Sequence, residues 1–149
     1  MIFVSNNHPS LRFSRRETFR TVKSVLEEEL VPSLSVSVVF VGSRFIQRIN
    51  RRFLNHNHIT DVIAFPFRDG QGVDAEVYVN LDRAKSQARE LGISYADEAR
   101  RLLIHGILHV LGYTDHTTGG RSRMRRREDF LLALLSSAKR HRSHARANR

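Results

Sequence analysis

Apolar and polar residues along this chain fall into nine blocks, four with the two-residue period of a strand and five with the period of a helix. In LSVSVVFV, residues 34–41, Leu34, Val36, Val38 and Phe40 oppose Ser35 and Ser37 before the run turns apolar on both sides. That predicts a strand ended by Gly42. DVIAFPF at 61–67 and DAEVYVNL at 74–81 predict two more, and residues 1–5 a short first one. Proline lacks a ladder donor, so Pro66 belongs at a strand end or on a sheet edge. DGQG at 69–72 reads as the turn between the two.

The helical blocks carry their own start and stop signals. SRRE, Ser14 to Glu17, has the capping-box pattern and opens a helix with Phe19, Val22, Leu26 and Leu30 on one face, expected to be core. Phe45, Ile46, Ile49 and Phe53 are spaced as a short amphipathic helix places them, and NHNHI at 55–59 follows as loop. Ala84, Ala88 and Leu91 line a helix closed by Gly92; Ser94 with Asp97 opens the next, which runs to Gly112. Met124, Leu131, Leu134, Leu135 and Ala138 form the stripe of a last helix over about 122–138. No repeat or long linker divides the chain, so one domain is expected over 1–138 and a basic tail without fixed structure over 139–149.

Composition narrows the chemistry. A chain of 149 residues that is 40% hydrophobic can bury a core, and with no cysteine it has neither disulfide, thiolate ligand nor thiol nucleophile. Any metal must therefore take nitrogen and oxygen ligands. The first residues lack the basic and apolar regions of a signal peptide, and no stretch is long enough to span a bilayer, so a soluble cytoplasmic protein without a membrane partner is expected. The net charge of +10 is uneven: residues 121–149 hold 10 of the 25 Lys and Arg but only Glu128 and Asp129 as acids, leaving 15 basic against 13 acidic residues before them. Such a skew suits a polyanion, and Arg125, Arg126 and Arg127 are expected to meet phosphate.

The chemistry concentrates in IHGILHVLGYTDH, residues 104–116. His105 and His109 are four apart, so on a helix their rings lie over one another and can share one ion. Gly112 suits the left-handed residue that ends a helix, and from it His116 is near enough to bring a third imidazole to the same point. Three nitrogen ligands leave one tetrahedral position open, the arrangement of a catalytic zinc rather than a closed structural one. Gly106 marks a close approach, either of a ligand or of a packed neighbouring element.

HGILHVLGYTDH resembles the histidine motif of the YbeY endoribonuclease family, H-G-x-L-H-x-x-G-Y-D-H, and INRRFLNHNHITDVIAFPF at 49–67 resembles that family's segment ending in T-D-V-L-S-F-P-F. The resemblance implies an α+β domain with a small mixed sheet of about four strands, about five helices and the metal site on a central helix. It implies one Zn2+ held by His105, His109 and His116, with Asp115 beside the third ligand to orient a ligand or water. The implied activity is cleavage of single-stranded RNA in rRNA maturation and ribosome quality control, with rRNA and the small ribosomal subunit as partners and no nucleotide cofactor. Two departures stand out. Thr114 is one residue more than the pattern, so His109 and His116 are seven apart rather than six. The family's arginine falls at Leu54, so Arg52 is expected to take its catalytic place, with Arg51 gripping RNA. The stretch after His116, commonly acidic in the family, reads TTGGRSRMRRR.

Two other readings share these residues. A zinc metalloprotease uses the same H-x-x-x-H spacing, but its general-base glutamate would stand where Gly106 does. A non-catalytic ribosome-assembly module would use the metal for stability and the arginines for rRNA. His56 and His58 read either as solvent-facing loop residues or as substrate contacts, and Phe65, Phe67 and Tyr113 either as core or as base-stacking rings.

Overall fold

Four strands form one mixed sheet in the order β1-β2-β4-β3, where β1 is Ile2–Asn6, β2 Val36–Val41, β3 Val62–Pro66 and β4 Ala75–Asn80. The computed structural model describes residues 1–67 and 73–147, so the turn expected at 69–72 lies outside the described residues. β1, β2 and β4 run parallel, and β3 closes one edge antiparallel to β4. The nearly uninterrupted apolar run of β2 suits an interior strand covered on both faces. Pro66 ends the edge strand, where its missing donor costs nothing.

Helices α1 (Arg15–Glu28), α2 (Ser43–Phe53), α3 (Leu81–Leu91), α4 (Tyr95–Val110) and α5 (Thr118–Ala147) complete the α+β domain. Side chains alternate across the pleat and divide the apolar interior in two. Val36, Val38, Phe40, Val77 and Val79, joined by Val62 and Ala64, face the main core, into which α1, α3, α4 and α5 send Val22, Ala84, Leu103, Ile107 and Leu131. Val39, Val41, Ile63, Phe65 and Tyr78 face the other way and are covered by Phe45, Ile46 and Ile49 of α2. Helix α4, which carries His105 and His109, and the arginine-rich helix α2 thus pack on opposite faces of the sheet.

The capping signals act locally. Ser14 Oγ accepts from the Glu17 N–H at 3.1 Å and Ser94 Oγ from the Asp97 N–H at 3.1 Å. Only half of the first capping box forms, because the Glu17 carboxylate binds Arg20 and Arg100 instead and ties α1 to α4. Two expectations shift. α1 stops at Glu28, so Leu30 lies beyond its buried face, 86% exposed at φ 62°. α5 begins earlier than 122 and continues to Ala147, through most of the segment expected to lack structure. Thr117 Oγ1 accepts from the Gly120 N–H at 3.0 Å to start it, a signal masked by the two glycines, and from residue 121 to 147 no glycine or proline interrupts it. Among the described residues no helix is long and apolar enough to cross a membrane.

Candidate metal centre

Helix α4 owes its placement to Gly106. A Cβ built there would lie 2.5 Å from Val77 Cγ1 and 2.8 Å from Val62 Cγ2, so the glycine lets the helix backbone rest directly on β4 and β3. Of its two readings, packing is the one realised. The same contact leaves no room for the glutamate that a protease of this spacing would carry after His105.

His105 and His109, one turn apart, bring their Nε2 atoms to 2.9 Å from one another. Each ring's other nitrogen has a fixed partner. His109 Nδ1 donates to the Tyr113 carbonyl oxygen at 3.0 Å, and His105 Nδ1 donates to Glu128. A carbonyl and a carboxylate accept only, so each ring donates from Nδ1 and Nε2 is the nitrogen left to face a cation. Two Nε2 atoms that close share a cation between them, either a proton or a metal ion.

Asp115 closes the group, its Oδ2 standing 3.7 Å from His105 Nε2 and 3.5 Å from His109 Nε2. Ligand bonds of about 2.0–2.1 Å in tetrahedral geometry put ligand atoms about 3.3 Å apart, so the three separations suit one small divalent ion. Two imidazoles and one carboxylate are also a common donor set for zinc and its neighbours.

His116, expected as third ligand, does not join the group; it is exposed on the loop just beyond. Thr114 is the physical reason. Counting from His109, the extra residue moves Asp115 to the six-residue offset and pushes His116 to seven. The lengthened loop tucks against α5, where the Thr114 carbonyl oxygen would be 2.6 Å from a Cβ at Gly120. Gly112, with φ 101°, ends the helix as expected.

Behind the histidines runs a chain of charges. Glu128, 5% exposed, receives His105 on Oε1 and faces Arg101 Nη1 at 3.8 Å through Oε2. Arg101 in turn forks onto the wholly buried Glu98, and that hydrogen bond holds its pKa above the ordinary arginine value despite burial. A carboxylate behind a ligating histidine fixes its tautomer and orientation. In the sequence Glu128 reads only as one of two acids in a basic stretch. Its signal was positional, since it sits four residues after Met124 and three before Leu131, on the apolar stripe of α5.

A cavity of about 360 Å³ opens beside His105 and Asp115, walled by Arg101, Arg121 and Arg125 with Thr118 and Ser122. Arg125 thus reaches the site, joined by Arg121, which was not foreseen; Arg121 Nη1 donates to the Asp115 carbonyl oxygen at 3.3 Å. Arg126 is exposed on α5, whereas Arg127 is held by Glu29 and lies over Phe130. Arg51 and Arg52 are on α2, across the sheet. The first binds Asn57 Oδ1 at 2.8 Å and the second lies over the Phe53 ring, and neither lines the cavity. Tyr113 packs against the core, and its hydroxyl donates to Glu29 at 2.9 Å. Burial and that bond push its pKa up. His56 and His58 lie ring to ring in the loop after α2, their centroids 4.8 Å apart.

Residues 3–136 match the model of a family described as Endoribonuclease YbeY. Relatives carrying that same name include one from Chlorobaculum tepidum, 37% identical over 132 residues, covering 80% of this chain and 96% of the relative. One from Chlorobium luteolum is 40% identical over 116 residues, covering 78% and 85%. One from Salinibacter ruber is 32% identical over 142 residues, covering 89% and 90%. In fold the chain resembles a Thermotoga maritima protein solved in solution, with a TM-score of 0.68 at 23% identity, covering 95% of this chain and 93% of that one.

Proposed function

The chain belongs to the YbeY family of endoribonucleases, and on that premise we propose that it is a zinc-dependent endoribonuclease cutting single-stranded RNA in rRNA maturation and ribosome quality control. In this reading it works in the cytoplasm on rRNA of the small ribosomal subunit. The observation that carries it is the convergence of two Nε2 atoms 2.9 Å apart with the Asp115 carboxylate beside them.

His105, His109 and Asp115 would hold the ion, which when bound lowers the pKa of water toward neutrality and polarises a phosphoryl oxygen. Glu128 and the Tyr113 carbonyl keep the two rings turned so that the same nitrogens face inward. Arg121 and Arg125 bind the phosphates that flank the cut, whereas Arg101, in the same wall, is already neutralised by Glu98 and Glu128. Arg101 therefore positions Glu128 rather than gripping substrate. Arg52 is in this reading an RNA contact away from the scissile bond. His116, next to Asp115, is free to meet substrate or solvent.

The test is cleavage of a labelled single-stranded rRNA fragment by the full chain, with metal content measured on the same samples. Chelation should abolish cleavage and zinc restore it. Asp115→Ala and His109→Ala should lose both metal and activity, while His116→Ala keeps its metal. Cleavage that survives chelation overturns the metal reading. Metal lost from His116→Ala but retained in Asp115→Ala returns the third ligand to His116.

A further inference from the structure

On the face of the sheet away from α4, a groove of about 260 Å³ runs between α2 and the edge strand β3, lined by Phe45, Ile49, Phe53, Phe65, Phe67 and Tyr78. Phe53 is 64% exposed and Phe67 39%. These rings are braced from beneath: Phe65 meets Phe53 edge-on at 6.2 Å and Tyr78 at 6.0 Å, while Tyr78 stacks on Phe45 at 5.9 Å. Large rings held rigid with a face toward water lose little freedom when something flat settles on them.

The helix beside the groove is SRFIQRINRRF, with four arginines and no acid in eleven residues. Arg48 lies 5.6 Å over the Phe45 ring and Arg52 5.4 Å over Phe53. Among the described residues no carboxylate pairs with Arg44, Arg48, Arg51 or Arg52. Glu76 also lines the groove, but its carboxylate is turned to the Tyr78 hydroxyl, which donates to it at 2.8 Å.

Aromatic faces interleaved with uncompensated guanidinium groups fit a strand that offers bases and phosphates together. A polypeptide without a run of acidic residues would use the rings but leave the row of positive charge unanswered. We propose that this groove is a second RNA site, which stacks unpaired bases of the strand being cut at the metal centre. The proposal rests on the nuclease reading above. The two sites flank one edge strand: Val62 of β3 packs toward Gly106, beside His105, while Phe65 lines the groove. In this proposal a single strand passes round that edge to reach both. Because every base has a π face, the groove would add affinity and length dependence without sequence preference.

The test uses the zinc-loaded full chain and a labelled unstructured oligoribonucleotide, reading anisotropy for binding and initial rates for KM and kcat. Phe53→Ala, a change at an exposed ring, should weaken binding and raise KM by about fivefold or more with kcat unchanged. Phe53→Trp should restore both, and Arg52→Gln should weaken binding and reduce its salt dependence. Binding and KM unaltered in Phe53→Ala while the wild type still cuts RNA would overturn the groove alone and leave it to a polypeptide. If the wild type binds but does not cut, and Phe53→Ala still weakens binding, the nuclease reading falls and the groove stands. A fall in kcat without a change in KM or binding would also overturn it.

Discussion

Glu128 shows how much of a candidate metal site is decided outside the ligand atoms. Its carboxylate, nearly wholly buried, faces the His105 ring on one side and the Arg101 guanidinium on the other, and it fixes which nitrogen of His105 it receives a proton from. Glu128→Gln keeps shape and an accepting oxygen but removes the charge that answers Arg101 and steadies the ring. Removing such a partner typically lowers metal affinity by about 10–100-fold. A competition titration of zinc against a chromophoric chelator should find that loss with helix content unchanged; equal affinity would reduce Glu128 to a packing residue. The same scale explains why Asp115 and His116 were hard to tell apart from sequence. Both carry a plausible ligand atom, they are adjacent, and one added residue in a turn decides which of them swings inward. His105 and His109 were legible because a helix fixes their spacing, whereas a loop fixes nothing so firmly.

At the scale of elements, strands and helices with a clean period were legible to within a few residues, and their junctions were less so. β3 was recognised with its proline at the edge, and α4 was recognised from its Ser94 cap to Gly112. The start of α5 was hidden by TTGG, since a hydroxyl cap three residues before a glycine gives a weak signal. Which helix covers which face of the sheet was not legible at all, because pairing order depends on contacts far apart in the chain. Gly106 is where two elements meet most closely, and it carries a prediction of its own. Gly106→Ala would raise helix propensity yet drive a methyl into Val77 and Val62, at 2.5 and 2.8 Å. Overpacking of that kind costs about 1–3 kcal/mol, more than the gain in propensity. Chemical denaturation should show the variant less stable, with α4 lifted from the sheet and metal affinity reduced; a stabilised variant would mean that the valines give way freely.

For the molecule as a whole, the question is which of the many arginines face outward to a polyanion and which hold the fold together. Arg20, Arg100, Arg101 and Arg127 have carboxylate partners in the structure, and Arg127 joins α5 to Glu29 at the end of α1. Arg121 and Arg125, by contrast, wall the cavity beside His105 and Asp115 without a carboxylate partner among the described residues. The net charge of +10 therefore overstates the charge available to RNA. Each phosphate contact on a single strand contributes about 0.7 to the slope of log affinity against log salt. Replacing Arg121 and Arg125 together by Gln should then reduce that slope by about 1.4, measured by anisotropy across a salt series. Arg127→Gln should leave the slope unchanged and instead lower the thermal midpoint, since what it loses is the link from α5 to α1. If Arg127→Gln flattens the slope as much as the pair does, the Glu29 contact opens when RNA binds, and the basic face of α5 extends farther from the metal centre than its ion pairs indicate.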